Sequence, residues 1–584
     1  MKPLSIAFFT YMLFGTCCFL IYLYCDLDAI SDVKRTRTRT AKGSHSKVKI
    51  YPTYYPDKLH SEWPFKISRR YNDSNVYRWR EPTPFKKPSP DGIGENGTAF
   101  VPPDANAKQT MDNLLQMHNY NSLASDMISL YRSLPDARSD ECRRLSYPSK
   151  LPTVSVIIIF HNEGWSTLMR TVWSVINRSP RELIKEIILV DDCSTWEFLK
   201  RPLDDYVVLL PVKIKVIRSP KRVGLIRARL IGAKYATGNV LTFLDAHVEC
   251  NEGWLQPLLS RIANDRSVIV VPLIDTISSA DFSYQYGKTI TVTGFRWTLI
   301  YNWYAVPDRE LVRTHNDVTA AIQTPTMIGC GFAIDREFFF EVGAFDEGMD
   351  IWGSENMEIS LRVWQCGGSV NIVPCSHIGH LFRMSTYSFD GDEEEIKSRN
   401  NMRMVEVWMN DLKHLHYAAR PPQRNVQPGD LTERMNIKSR LKCKNFRWYL
   451  DNVYPESNMG KDFVYLGEIK NHRSRLCLDI NVGDIQSPLT MSGCHKQGGN
   501  QFFAITEDRM IVTSQEFCVG ANDEHYAVIS VKDCNDPLQS WHFYRQEKWL
   551  QHISSGLCMM ANESAVILVK CDPHNVNLVW DINL

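Results

Sequence analysis

Short apolar, β-branched runs that stop abruptly at polar residues constrain this chain most. Val154 to Phe160, Glu186 to Val190 and Val240 to Leu244 are such runs. They read as strands covered on both faces. Val212 to Ile217 reads as a further strand, and Ser166 to Asn177 and Leu225 to Tyr235 read as intervening helices. This β-α-β alternation predicts an α/β, Rossmann-like, mostly parallel sheet with helices on both faces. Its carboxyl ends would gather Asp192, Arg222 and Asp245 on one edge. That edge is where such sheets bind nucleotides.

The fourth run stops at Asp245-Ala246-His247. Residues i and i+2 of an extended segment point the same way. A hard carboxylate beside an imidazole suits a divalent ion that also takes phosphate oxygens, such as Mn²⁺. Alone, the tripeptide reads equally well as a strand ending in polar turn residues.

A chain of 584 residues exceeds one ordinary core, so about two to four domains are expected. The net charge of +1 gives no reason to expect a nucleic acid partner. Leu4 to Tyr24 is an uncharged apolar stretch, and about 20 such residues cross a bilayer as one helix. Its length, and its end at Leu23-Tyr24-Cys25-Asp26, favour an uncleaved anchor over a signal peptide. Orientation is contested within the sequence. Lys34, Arg35, Arg37, Arg39 and Lys42 follow the span, which by the positive-inside rule puts the bulk in the cytoplasm. Sixteen cysteines and sequons at Asn72, Asn96, Asn177 and Asn562 argue for the lumen.

Residues 25–105 read as a stem, and 106–135 carry a helical apolar pattern through Met111, Leu114, Leu115, Leu123 and Met127. Residues 425–460 are polar and read as a linker. Beyond 461 the pattern turns to short strands with an internal repeat. Leu476-Cys477-Leu478-Asp479, Phe517-Cys518-Val519-Gly520 and Leu557-Cys558-Met559-Met560 open three units about 40 residues apart. Each has a second cysteine (Cys494, Cys534, Cys571) and an aromatic close at Phe502-Phe503, Trp541 or Trp580. Three short all-β units, each closed by a local bridge, read as a β-trefoil.

Further motifs join the Asp-x-His. Arg222 to Arg229 reads Arg-Val-Gly-Leu-Ile-Arg-Ala-Arg, Trp352 to Asn356 reads Trp-Gly-Ser-Glu-Asn, and Cys375 to Arg383 reads Cys-Ser-His-Ile-Gly-His-Leu-Phe-Arg. Together these resemble the polypeptide N-acetylgalactosaminyltransferases from about residue 95 to the C-terminus. The resemblance implies a type II Golgi membrane protein with a lumenal GT-A catalytic domain at 106–424 and a ricin-type lectin domain at 461–584. A cytoplasmic tail (1–3), an anchor (4–24) and the stem would precede them. Within the catalytic domain, 151–262 would bind UDP and Mn²⁺, and 320–390 the sugar and acceptor. The implied activity is transfer of GalNAc from UDP-GalNAc to Ser/Thr hydroxyls of peptides or glycopeptides with retention, initiating mucin-type O-glycosylation.

The same resemblance assigns residues. Asp245, His247 and His380 match Mn²⁺ ligands, with His377 a decoy. Asp192 and Arg222 match nucleotide and donor contacts, and Trp352 a residue at the donor sugar and diphosphate. Glu355 and Asn356 match the sugar pocket, and Arg383 and Tyr387 diphosphate contacts. Arg227 and Arg229 read as surface or helix-packing residues, and Trp352 alone reads equally as a core aromatic. Bridges Cys142–Cys375, Cys366–Cys443, Cys477–Cys494, Cys518–Cys534 and Cys558–Cys571 are implied, leaving Cys193, Cys250 and Cys330 free. In the lectin domain only the first repeat keeps the sugar-binding pair, Asp479 with Asn500. Gly520 and Met560 replace the acid elsewhere, implying one GalNAc site. The loop after Arg383 departs from the family: its prolines are gone and Asp390 and Asp392 replace small residues. That departure supports an alternative, a catalytically weak or inactive member acting as a GalNAc-glycopeptide-binding lectin.

Overall fold

The computed structural model describes residues 76–77, 84–287, 289–383, 389, 391–480, 488–522, 527–530, 534 and 539–582. The expected anchor at 4–24, the sequon at Asn72 and the loop residue Tyr387 lie outside these. Among the described residues no helix is long and apolar enough to cross a membrane.

The catalytic unit is a twisted sheet between helical layers. Its elements are β1 (Val154–Phe160), α1 (Trp165–Asn177), β2 (Ile184–Asp191), β3 (Ile214–Arg218), α2 (Gly224–Tyr235), β4 (Val240–Asp245), β5 (Val248–Cys250), α3 (Leu255–Asn264) and β6 (Val268–Ile277). There follow a hairpin, β7 (Thr291–Phe295) and β8 (Tyr301–Ala305), then β9 (Ile322–Gln323), β10 (Gly331–Asp335), α4 (Glu355–Gln365), β11 (Ser369–Leu381) and α5 (Glu393–Trp408). Strand order is β9-β11-β6-β10-β4-β1-β2-β3, with β5 against β11. Alternate residues of β1 serve opposite cores. Ile157 and Ile159 meet α2 residues Ile226 and Leu230, while Val156 and Ile158 meet the face formed by Leu168, Val172 and Leu258. Period-two burial on both faces explains the unbroken apolar runs.

The sheet is mixed, where a mostly parallel one was expected. β3-β2-β1-β4 are parallel, but β10 runs antiparallel to both β4 and β6. Apolar runs in 268–345 carry no direction signal, so orientation was illegible there. The helical pattern at 106–135 breaks into Ala105–His118 and Ser122–Met127, because Asn119 takes a left-handed conformation at φ 59 and ends the first helix.

The segment 425–460, expected as a polar linker, is folded onto the catalytic unit. It forms α6 (Thr432–Arg440) and α7 (Phe446–Asn452). Phe446, Tyr449, Leu450 and Val453 stand at helical spacing and join the main core, and Cys443 is tied to Cys366. A single buried stripe in an otherwise polar stretch escapes a composition reading.

The three repeats form the expected β-trefoil. Trp541 Nε1 donates to Val519 O at 2.7 Å and Trp580 Nε1 to Met559 O at 3.0 Å. Each closing indole thus caps the residue after its repeat's first cysteine, and Phe503 is the buried counterpart in the first repeat. The two units share a core. Trp297, in the β7–β8 turn, lies 5.0 Å from the Phe463 ring and 5.3 Å from Phe502. Arg296 stacks 5.1 Å over Phe517. Beside them Glu516 accepts from Ser457 Oγ and Asn458 N, both at 3.1 Å. All five bridges pair as the resemblance implied, and Cys193, Cys250 and Cys330 are free.

Asn177 corrects one expectation. It is buried, its Oδ1 accepting from Phe85 N at 3.1 Å and its Nδ2 donating to Lys86 O at 3.1 Å. A glycan has no room there, whereas Asn96 and Asn562 are exposed. Glycopeptide mass spectrometry is expected to find Asn177 unmodified; a glycan on it would contradict this packing.

Desolvation pushes the Glu516 carboxyl up from its ordinary 4.5 to about 7, against the pull of Asn458, Ser457 and Arg296. An acid raised in the folded state binds more protons folded than unfolded. Its destabilisation is therefore absent well below pH 4.5, grows as pH climbs from 4.5 to about 7, and is constant above. Glu516→Gln should raise the melting temperature relative to wild type by a margin that widens over this window. A margin independent of pH would refute it.

Candidate active site

The site stands at the carboxyl ends of β1, β2 and β4, and the turn after β4 is its centre. Asp245 and His247 flank Ala246, and β11 brings a third ligand beside them. The end of β11 runs antiparallel to β5, pairing His380 with Val248, while Leu381 N donates to His247 O at 3.1 Å. One ligand atom each from Asp245, His247 and His380 lie within 4.8 Å of one another. His380 Nε2 is 3.3 Å from Asp245 Oδ2, and His380 Nδ1 is buried with no hydrogen-bond partner among the described residues. One carboxylate oxygen and two imidazole nitrogens, converging at an edge with side chains partly open, fit a divalent ion such as Mn²⁺. His377 stands outside this cluster. It lies on the other side of the strand, its Nδ1 3.0 Å from Asp275 Oδ2.

Three further residues complete the electrostatics, and two were not foreseen. Glu163 follows β1 and is buried. Its Oε2 lies 3.0 Å from His247 Nδ1 and accepts from Arg383. Burial would raise its carboxyl, but Arg383 and His247 outweigh that and hold it down at about 2. Glu163 therefore orients His247 from behind, the usual support of a metal-binding imidazole. Arg383 also stacks 5.0 Å over Tyr120. Position after an apolar strand was the signal that could have found Glu163. The other is Arg229, only 1% exposed, which fits the packing half of its reading and not the surface half, and whose carboxylate partners that reading did not include. It lies 3.3 Å from Asp245 Oδ1 and 3.4 Å from Glu355 Oε1. Burial pushes the Asp245 carboxyl up, yet His380 and Arg229 hold it below its ordinary value. For Glu355, burial prevails over Arg229 and the carboxyl stays raised.

Asp192, expected at the nucleotide, has both oxygens engaged by the chain itself. They accept from Arg222, from Val223 N at 2.7 Å and from Gly224 N at 2.9 Å. A carboxylate at the start of α2 satisfies its orphan amides and fixes Arg222 at the edge. Gly224 has φ +81, and a Cβ there would lie 2.2 Å from Ile351 Cα. That close approach seats the loop carrying Trp352. Ile351 and Ser354 both have positive φ, at 50° and 65°, a strained backbone of the kind found at functional sites. Trp352 is half-buried, with Lys397 Nζ 5.1 Å over its ring. Glu355 Oε2 accepts from Gly353 N at 3.0 Å, and Asn356 follows on the first turn of α4, partly exposed.

In the trefoil, Asp479 accepts from Asn500 Nδ2 at 2.6 Å and Gln501 Nε2 at 3.0 Å. The second repeat has Gly520 in its place, and a Cβ there would lie 1.5 Å from Gln539 Oε1. The third has Met560, whose sulfur accepts from Asn575 Nδ2 at 3.2 Å.

A catalytic sheet with a carboxylate–imidazole metal edge, joined to a trefoil, defines a glycosyltransferase with a lectin module. Family comparison agrees. Residues 155–343 match Glycosyl transferase family 2, 309–386 match the N-terminal domain of galactosyltransferase, and 465–580 match the Ricin-type beta-trefoil lectin domain. Human polypeptide N-acetylgalactosaminyltransferase 13 is 47% identical over 473 residues, 80% of this chain and 84% of the relative. Mouse polypeptide N-acetylgalactosaminyltransferase 6 is 40% identical over 516 residues, 84% and 82% of the two chains. The crystal structure of GalNAc-T7 with UDP, GalNAc and Mn²⁺ superposes with a TM-score of 0.71 at 33% identity, covering 90% of this chain and 99% of that one. The chain belongs to the polypeptide N-acetylgalactosaminyltransferase family.

Glu163→Gln removes the charge that orients His247 and anchors Arg383. Mn²⁺ affinity, read by titration, should weaken by about 10–100-fold; an unchanged affinity would show that Glu163 is only a packing residue.

Proposed function

We propose that this protein transfers GalNAc from UDP-GalNAc to Ser/Thr hydroxyls of proteins with retention, initiating mucin-type O-glycosylation. The convergence of Asp245, His247 and His380 beside Arg222 and Glu355 carries the reading. A non-catalytic lectin would not need that convergence. Mn²⁺, held by the three ligands, would act as a Lewis acid toward the diphosphate. The chain's own residues supply the rest. Arg222, tethered by Asp192, and Arg383, tethered by Glu163, offer fixed positive charge where negative charge develops on departing UDP. Trp352 and Asn356 shape the donor-sugar side, with Tyr387 a further diphosphate contact on the loop after Arg383. Glu355 is buried behind Arg229 and Gly353 N, which supports a sugar-orienting role over attack on the sugar. Retention then proceeds by front-face attack, the departing phosphate oxygen taking the acceptor's proton.

Asp479 and Asn500 form the one GalNAc-binding site of the lectin domain. Residues 4–24 anchor the chain in the Golgi membrane as a single-pass type II protein with both domains lumenal. Five disulfides support that oxidising compartment.

Mass spectrometry of a Ser/Thr peptide panel with UDP-GalNAc and Mn²⁺ should detect the added sugar. Asp245→Ala should reduce the rate by about 10²-fold or more. Failure of wild type on every peptide would sink the reading. Asp479→Ala should lose GalNAc-glycopeptide binding, and Gly520→Asp should create none, because the Gln539 amide already occupies that space. A second binding event in Gly520→Asp would disprove this account of the second repeat.

A further inference from the structure

Helix α2 turns Ile226, Arg229, Leu230 and Ala233 toward the core, each at most 3% exposed. This is the i, i+3, i+4, i+7 stripe of a buried face, and an arginine stands in it. An ion placed there is expensive unless it is paired and hydrogen-bonded. Its surroundings show what pairs it. Nη2 donates to Gly329 O at 2.5 Å and lies 3.3 Å from Asp245 Oδ1. Nη1 lies 3.4 Å from Glu355 Oε1. The guanidinium sits 6.0 Å from the Phe332 ring and 5.9 Å from Phe345.

We propose that Arg229 is a positioning residue that couples the metal edge to the sugar side of the site. It divides the Asp245 carboxylate: Oδ1 faces the guanidinium, leaving Oδ2 facing His380 and the metal position. With its other arm it steadies Glu355, whose second oxygen is fixed by Gly353 N. The Gly329 contact closes the frame, since the next residue, Cys330, accepts from Asp245 N at 3.0 Å. Only a planar fork reaches two carboxylates and a carbonyl at once, so lysine is no substitute. Arg229 touches neither donor nor acceptor in this role and acts through Asp245 and Glu355.

The inference rests on the metal site assigned above, and its test separates the two. Mn²⁺ alone, without donor, is titrated into the full-length chain, and free Mn²⁺ is read by electron paramagnetic resonance. Arg229→Lys should raise the apparent Kd by about 10-fold or more, and Arg229→Ala further. Added guanidinium should restore binding to the alanine variant, which a lost packing contact would not allow. In turnover, kcat should fall in Arg229→Lys with the acceptor KM unchanged. Cooperative thermal unfolding followed by circular dichroism reports folding; should the alanine variant fail to fold, the lysine variant decides. A folded Arg229→Lys with wild-type Mn²⁺ affinity overturns the proposal alone. Wild-type chain that binds no Mn²⁺ overturns the metal site and the proposal with it.

Discussion

A carboxylate at the end of a fully buried strand must be compensated, and the compensation of Asp245 organises this site. One oxygen faces Arg229 and the other faces His380. Arg229 comes from the helix between β3 and β4, and His380 from the far end of a strand more than a hundred residues later. Each compensating group then needs its own support. Arg229 takes Glu355 and Gly329; His247 takes Glu163, and Glu163 takes Arg383. The result is a chain of alternating charges along one sheet edge. Every titratable side chain in it has a partner of opposite sign or a hydrogen bond, which is what a low-dielectric site requires.

Much of this was legible before folding. The runs at Val154, Glu186 and Val240 declared a sheet because both faces are covered. The Asp-x-His admitted a metal edge beside a plain polar strand end, and the fold brings the two side chains together across a turn and not along an extended strand. Illegible were the features that depend on what lies across the fold. The antiparallel β10 has no local mark of direction. Arg229 sits in a run of three arginines, and only the burial of its helix face separates it from Arg227, which reaches Asp350 at the surface with its side chain 37% exposed. Glu163 and Asp192 are acids after strands, and sequence alone could not say that both serve the chain's own cations. Residues 425–460 hid one buried stripe beneath a polar average.

The trefoil shows how one unit diverges without losing its frame. The indoles of Trp541 and Trp580 keep the same backbone contact, so the repeats still stack on a common core. The polar site above that core is another matter. In the first repeat Asp479 is held by Asn500 and Gln501. In the second, the Gln539 amide has moved into the space that loss of the acid side chain opened at Gly520, and its Oε1 finds no hydrogen-bond partner among the described residues. In the third, Leu578 replaces the glutamine and is fully buried. The polar geometry around Asp479 is therefore separable from the indole and core geometry that the repeats share.

That separation bears on how the two units work together. Asn500 and Gln501 grip Asp479, and the next residue, Phe502, packs against Trp297 of the catalytic unit. The grip on Asp479 and the interdomain contact thus share one short 3₁₀ segment, Gly499–Gln501, and the residue that ends it. Trp297 in turn belongs to the turn of the β7–β8 hairpin, whose Thr291, Thr293 and Trp303 line a groove with Asp275 and Met327. The hairpin thus has one end against the trefoil and its flank along that groove. Tilting the lectin unit would have to break the packing of Trp297 against Phe463 and Phe502 and of Arg296 over Phe517 together. The packing between the units therefore belongs to the hairpin as much as to the chain that joins them.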